Sequence, residues 1–410
     1  MEFITYLYLF YVFIALYFLS LSMLIYLYNR NKLFYYPPIT KDYSLSIVVP
    51  CYNEEDSIGE TIEALLKSDY KNLKTIIVVD DKSTDNSYNI IKQYAKKYKR
   101  VMAVQTPKNT GCAAGSKNYG AKFVKTELIG FSDADSSVQS DAIQKMIGFF
   151  DDSKIGAVTS MVMVKNTDKM IERLQSIEYK IIAFTRKLLG FVEGIYVTPG
   201  PLAIYRKDYF DKIGRFDEKN LTEDIEITWK FVANGYKVAM SADSKAYTVA
   251  PNNFKKWFKQ RVRWNLGGLQ TIDKYKWTFL RKGMLGAFIL PFFVFNWLIG
   301  IFGIFFLTYR IFRRFTLQYL STRYSIQAQT AILTLNDINL TPNILIFFGI
   351  SIFILGFTFT LIALFYSREK GHKKQGILGI LIYTFFYLLA YPIILIISAY
   401  KFLRRKTSWY

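Results

Sequence analysis

The chain has one histidine and two cysteines in 410 residues. The histidine, His372, lies in a basic run, Arg368-Glu369-Lys370-Gly371-His372-Lys373-Lys374, so any general base has to be a carboxylate. Cys51 and Cys112 alone exclude a disulfide framework and a thiolate metal site. No G-x-G-x-x-G follows the first strand-like run and no G-x-x-x-x-G-K-[ST] occurs anywhere, which argues against dinucleotide and P-loop chemistry. Acidic residues are also scarce: 32 Asp and Glu against 53 Lys and Arg leave a net charge of +21. That excess calls for an anionic neighbour, whether nucleic acid, anionic lipid or anionic substrate. No nucleic-acid recognition module is visible, so membrane lipids are the expected partner and nucleic acid is not.

Charge is missing altogether from four long stretches. Phe3 to Tyr28 is uncharged over 26 residues, enough to cross a bilayer with some tilt. It has no basic start and no small-residue cleavage site, so it reads as a retained anchor. Gly283 to Tyr309, Asn343 to Tyr366 and Gly376 to Phe402 follow the same pattern. Pro291 and Pro392 sit inside the first and last of these, where neighbouring helices can satisfy the freed carbonyls. The expectation is an integral plasma-membrane protein with one span before and three after a polar middle. Arg30, Lys32 and the Lys-rich middle put that domain in the cytosol. Arg310, Arg313, Arg314 and Arg323, and the tail residues Lys401, Arg404, Arg405 and Lys406, break the pattern if every run crosses once. Either the run from Gly283 re-enters, or Ile311 to Thr341 lies along the membrane surface.

In the middle, apolar runs alternate with helical patterns. Leu45 to Pro50, Leu73 to Val79, Val101 to Thr106 and Leu128 to Gly130 read as buried strands. Ser83-Thr84-Asp85 is expected to cap one helix, and another is expected after the small-residue segment Cys112 to Gly120. Such alternation means a doubly wound, mostly parallel sheet, whose ligands bind beyond the carboxyl ends of the strands. Polar clusters fall at those ends: Asn53-Glu54, Asp80-Asp81, Asn109 and Asp133-Ala134-Asp135. Asp133 and Asp135, two residues apart, face one side if the chain stays extended. Their oxygens suit Mg²⁺ or Mn²⁺, with substrate phosphates completing the sphere. The plain alternative is a solvated turn.

The order of these elements resembles the GT-A fold of glycosyltransferase family 2, over roughly Leu45 to Gly268. Pro50-Cys51-Tyr52-Asn53-Glu54 and Asp80-Asp81 match that family's nucleotide motifs, Lys117-Asn118 its basic-Asn pair and Asp133-Ala134-Asp135 its metal motif. Thr198-Pro199-Gly200-Pro201-Leu202-Ala203-Ile204-Tyr205-Arg206 resembles the acceptor-site strand of hyaluronan and chitin synthases. Thr222-Glu223-Asp224 matches T-E-D, whose Asp is the family's general base; the plain alternative has Thr222 capping a helix and the acids complementing its dipole. Gln260-Arg261-Val262-Arg263-Trp264 matches the Q-x-x-R-W of membrane-bound polymerising members. Phe254, Trp257, Phe258, Arg261 and Trp264 form a helical stripe expected to lie in the lipid interface, and Met170 to Phe191 is a second candidate interface helix.

The resemblance implies a membrane-integrated enzyme similar to hyaluronan, chitin and poly-N-acetylglucosamine synthases. Its parts would be an anchor and linker over 1–36, a cytosolic GT-A domain over 41–250, an interfacial helix over 251–282 and a membrane region over 283–410. The implied reaction is inverting sugar transfer from a UDP-sugar (UDP-GlcNAc or UDP-Glc) to a growing β-linked polysaccharide. Asp133 and Asp135 would hold the metal, and Asp224, with Glu223 beside it, would act as base. Pro50, Tyr52, Asn53, Glu54, Asp80, Asp81 and Lys117 would bind the nucleotide; Gln260 and Arg263 would hold the diphosphate and Trp264 would stack on the acceptor sugar. A non-processive enzyme that glycosylates a lipid or polyprenyl phosphate is the alternative, since no gating-loop motif is visible. A transporter or scaffold with a dead transferase domain would not need intact carboxylates at 133, 135 and 224.

Overall fold

The computed structural model describes residues 3–329, 344–367 and 376–405. The Arg368–Lys374 loop, Asn343 and Lys406 lie outside them. After the apolar helix α1 (Phe3–Asn29), the chain alternates β1 (Leu45–Cys51), α2 (Ile58–Leu66), β2 (Leu73–Asp80), α3 (Ser87–Lys97), β3 (Val101–Gln105), α4 (Ala113–Ala121) and β4 (Leu128–Phe131). β5 (Ser136–Val138), α5 (Gln144–Ile147), β6 (Ile155–Val164), α6 (Met170–Gly190), β7 (Ala203–Arg206), α7 (Lys207–Lys212), α8 (Glu223–Ala233) and β8 (Lys237–Thr248) follow. One sheet takes the order β3-β2-β1-β4-β7-β6-β8-β5. β1 pairs in parallel with both β2 and β4, as β3 does with β2 and β6 with β8, while β7 runs antiparallel between β4 and β6. The central strands are buried on both faces, as continuous Val/Ile runs require.

Two expectations about helices are corrected. The small-residue segment is itself helix α4, rather than a prelude to one. Its composition suits close packing: a Cβ on Gly120 would come within 2.5 Å of Val48 and 2.7 Å of Val79. α3 starts at Ser87 behind Asn86; Asp85 accepts from the Ser87 and Glu55 amides, and the Thr84 amide is bonded to Asn53.

α9 (Phe254–Tyr275) leads to α10 (Leu290–Gln327), α11 (Ile344–Tyr366), α12 (Ile377–Ile382) and α13 (Ala390–Leu403). Among the described residues, four helical stretches are long and apolar enough to cross a membrane: Thr5–Lys32, Leu285–Gln327, Phe347–Tyr366 and Ile377–Leu403. Pro291 and Pro392 fall in the first turns of α10 and α13, each after a π-helical segment, Leu285–Ile289 and Tyr383–Tyr387. Both prolines thus sit close behind an irregular π-helical turn, the kind of place where an interrupted helical ladder is accommodated. After Tyr309 the chain continues as α10 as far as Gln327, carrying Arg310, Arg313, Arg314 and Arg323; 330–341 lies outside the described residues. The 43-residue stretch from Leu285 is about 65 Å long, twice the roughly 30 Å of hydrocarbon a span must cross.

α9 also differs from expectation. Only its first turns present aromatics outward, with Phe254 exposed. Trp257 and Arg261 are fully buried, and Trp257 packs against Tyr387, ring centroids 4.7 Å apart. Trp257 and Arg261 of the stripe thus face α6 and the last apolar stretch of the same chain.

Candidate active site

Asp133 and Asp135 are not alternate residues of a strand. β4 ends at Phe131 and the pair occupies a turn, closed by the Ser136 amide donating to the Asp133 carbonyl at 3.2 Å. α2 fixes this turn from one side, where the Thr61 hydroxyl donates to the Ala134 carbonyl at 2.7 Å. From the other side the Thr198–Arg206 segment crosses so closely that a Cβ on Gly200 would lie 2.1 Å from the Asp133 carboxylate. Asp135 is pushed up to about 7, first by burial and then by the charges of Asp133 and Glu54. Glu54, which lines the same cleft as Asp135, is close enough for its charge to act on it, although its motif pointed to the nucleotide. Among the described residues no cluster of three or more metal-ligating side chains is formed. Two hard oxygen donors that repel each other still fit a divalent cation shared with substrate phosphates.

Lys117, buried on α4, joins this pair to T-E-D. Its ammonium lies 3.3 Å from Asp133 and 2.9 Å from Glu223. Burial alone would lower the Lys117 pKa, but Glu223 and Asp133 outweigh it and the net shift is upward. Burial likewise opposes ionisation of Glu223, but Lys117 prevails and holds it below its ordinary value. Asp224, the next residue, is pushed up to about 7 by burial and by Glu223, against the pull of Lys117 and Arg263.

Thr222 does not cap α8 with its side chain; its hydroxyl bonds to Asn220. The entry to α8 is held by α9 instead. Asn220 donates to Thr271 at 2.9 Å, the Leu221 amide donates to Gln270 at 2.9 Å, and Tyr275 donates to the buried Glu226 at 2.9 Å. On the acceptor-like strand, Thr198 bonds Tyr205 and Thr228, and Thr228 donates to the Asp224 carbonyl at 2.6 Å.

The nucleotide-motif residues are divided. Asp81 is used within the protein, accepting from Thr106 and from the amide and hydroxyl of Thr110. Asp80 accepts from Gln105 at 2.8 Å, and Asn53, in a left-handed backbone, accepts from the Thr84 amide. These shape the strand-end loops; Tyr52 is exposed and Pro50 is part of β1. Glu54, Asp135 and Gln260 share the wall of a cleft of ≈ 530 Å³, with Lys165, Asn252 and Lys256. Asp133 and Asp224 are not among its walls.

Gln260 and Trp264 are both engaged by Arg261. Arg261 donates to the Gln260 side-chain oxygen and lies over the Trp264 ring at 4.0 Å from its centroid. Arg263 donates to the Leu221 carbonyl at 3.4 Å, and its charge acts on Glu223 and Asp224. Sequence reading did not single out Glu178, Arg186 or Tyr387. Glu178 accepts from Arg261 and from Tyr387 on the last apolar stretch. An ionisable residue at a buried position of an amphipathic helix was the only available signal.

A sequence profile described as "Glycosyltransferase like family 2" matches residues 42–267. A poly-β-1,6-N-acetyl-D-glucosamine synthase of Staphylococcus epidermidis is 29% identical over 250 residues, 60% of each chain. The matched part thus spans three-fifths of that relative's length. The synthase of the same name from Staphylococcus aureus MSSA476 is 28% identical over 301 residues, 71% of this chain and 72% of its own. Among solved structures, the mannosyltransferase PcManGT from Pyrobaculum calidifontis, in complex with GDP-Man and Mn²⁺, superposes with a TM-score of 0.61 at 17% identity. That likeness covers 97% of this chain and 99% of the other, so the fold extends through the apolar helices.

Proposed function

Because the chain belongs to the glycosyltransferase like family 2, we propose that it is an inverting, metal-dependent glycosyltransferase that extends a polysaccharide from a UDP-sugar. The observation that carries this reading is the meeting at Lys117 of a carboxylate from the 133/135 turn with one from T-E-D. One ammonium cannot reach both unless the two motifs share a site.

Asp133 and Asp135 would hold Mg²⁺ or Mn²⁺, which would offset the charge of the leaving diphosphate. Glu54 and Gln260 line the neighbouring cleft, where a sugar nucleotide has room. Lys117 keeps Glu223 ionised, and Glu223 in turn raises Asp224. With its pKa at about 7, Asp224 is half ionised at neutral pH and well matched to accept a proton. It takes the proton of the acceptor hydroxyl as that oxygen bonds to the anomeric carbon. The bond from this carbon to the diphosphate oxygen breaks, and UDP departs with its electron pair.

The name shared by the staphylococcal relatives supports N-acetylglucosamine as the sugar and a β-linked polymer as the product. The four apolar helices support action at a membrane, with the sheet domain facing the cytosol and the polymer passed outward. Purified protein incubated with a panel of UDP-sugars and Mn²⁺, with products separated by size, tests the reading. A ladder of long chains from UDP-GlcNAc is expected. No turnover of any UDP-sugar sinks it, and a single-sugar lipid as sole product replaces the polymer by a lipid acceptor.

A further inference from the structure

Arg186 is only 5% exposed, yet no ion pair or hydrogen bond holds it among the described residues, and its Nε and Nη1 are buried without any partner. A guanidinium is a donor only, so a buried one left unpaired is costly unless oxygens are brought to it. Its neighbours do not supply them. Lys187 turns away to the Met240 carbonyl at 3.0 Å. The Asp224 carboxylate is near enough for its charge to act on Arg186, and the phenols of Tyr196 and Tyr179 belong to the same surroundings, all three side chains being partly exposed. Tyr179 lies two turns before Arg186 on the same face of α6 and meets Trp264, ring centroids 6.3 Å apart. Tyr196 packs edge-on against Phe293 of α10.

From this arrangement, and resting on the transfer reading above, we infer that Arg186 binds the neutral sugar at the end of the acceptor chain, donating to its hydroxyl or acetamido oxygens. Two tyrosines near a hydrogen-bonding cation, one of them in contact with Trp264, suit a sugar ring, which offers a flat apolar face and oxygens at its edge. A phosphate fits less well. Asp224 beside Arg186 would repel a dianion, and Arg261 and Lys117 are already committed to Glu178 and to Asp133 and Glu223.

The test uses the full-length protein in detergent, UDP-GlcNAc as donor and a β-1,6-linked N-acetylglucosamine disaccharide as acceptor. Arg186→Gln keeps a donor but loses the charge and the fork. The acceptor KM is expected to rise about tenfold, the size of one lost charge-assisted hydrogen bond, without a matching rise in donor KM. Should Arg186→Gln fail to give a folded protein, Arg186→Lys is measured instead and is expected to raise the acceptor KM by a smaller factor. An unchanged acceptor KM, or donor and acceptor KM rising together, overturns the role of Arg186. So does a loss confined to transfer onto polyprenyl phosphate, which would make the ligand an anion. Wild-type protein that turns over no sugar nucleotide removes the underlying reading; wild-type transfer with an unaffected variant removes only this one.

Discussion

Arg261 and Glu178 form a two-point ion pair, Nε to Oε1 at 2.9 Å and Nη2 to Oε2 at 2.5 Å, with both side chains out of solvent. Tyr387 donates to the same carboxylate and Tyr391 contacts the same guanidinium. The pair ties α6 and α9 to the last apolar stretch, one residue from Gln260 and three from Trp264. Breaking such a pair leaves a buried charge uncompensated, at a cost of about 3–5 kcal/mol. Glu178→Gln should therefore lower the thermal midpoint in detergent strongly. Glu178→Gln combined with Arg261→Gln should lower it less than Glu178→Gln alone, because no charge is left stranded. A double variant at least as unstable as the single one contradicts this.

Asp224→Asn should reduce transfer by about a thousandfold or more while UDP binding, followed by calorimetry, persists. As the proposed base, Asp224 works only when ionised. Below its pKa of about 7 the rate should fall tenfold per pH unit and level off above it. Lys117 pulls that pKa down, so Lys117→Gln should move the acid limb of the profile to higher pH as well as weaken the site. A limb that stays in place would separate Lys117 from the base.

Metal affinity should follow Asp135. Its pKa is raised, so at pH 5 a proton occupies the carboxylate and competes with the ion, whereas above pH 7 it is free. Mn²⁺ binding measured by calorimetry should weaken on acidification from pH 8 to 5, with proton release on binding near the lower end. Flat affinity across that range would exclude Asp135 as ligand.

Gly200→Ala places a methyl group into the Asp133 carboxylate, where 2.1 Å is all the space there is. Mn²⁺ affinity and turnover should both drop about tenfold or more, the scale seen when a ligand's support is disturbed, with the far-UV spectrum preserved. Unchanged affinity would show that the turn can move aside.

Much of the sheet is legible from the sequence because a strand buried on both faces is written as an unbroken apolar run, as in Ile47-Val48-Val49 and Ile76-Ile77-Val78-Val79. α4 is not legible in that way. Ala, Gly and Ser carry no helical apolar period, and only the neighbouring strands show why small residues are needed. The site divides similarly. Asp133 and Asp135 stand out by type and spacing, and Asp224 stands out through the likeness of its motif to a family pattern. Arg186 and Glu178 belong to no motif, and what sets them apart is the absence or presence of a partner, which is a fact of three dimensions. The inward-facing stripe of α9 could not be told from a lipid-facing one, since aromatic helices and bilayers offer the same apolar surroundings.

The bare Cα at Gly120 has a reach beyond its own contacts. Because no methyl group props α4 off the sheet, Lys117 one turn earlier is carried below the protein's outer layer to a depth water does not enter. The electrical character of the proposed reaction centre is in that sense set by a missing carbon atom. Enlarging position 120 would lift the helix and let solvent in around the ammonium, loosening its hold on both acids at once without altering any charged residue.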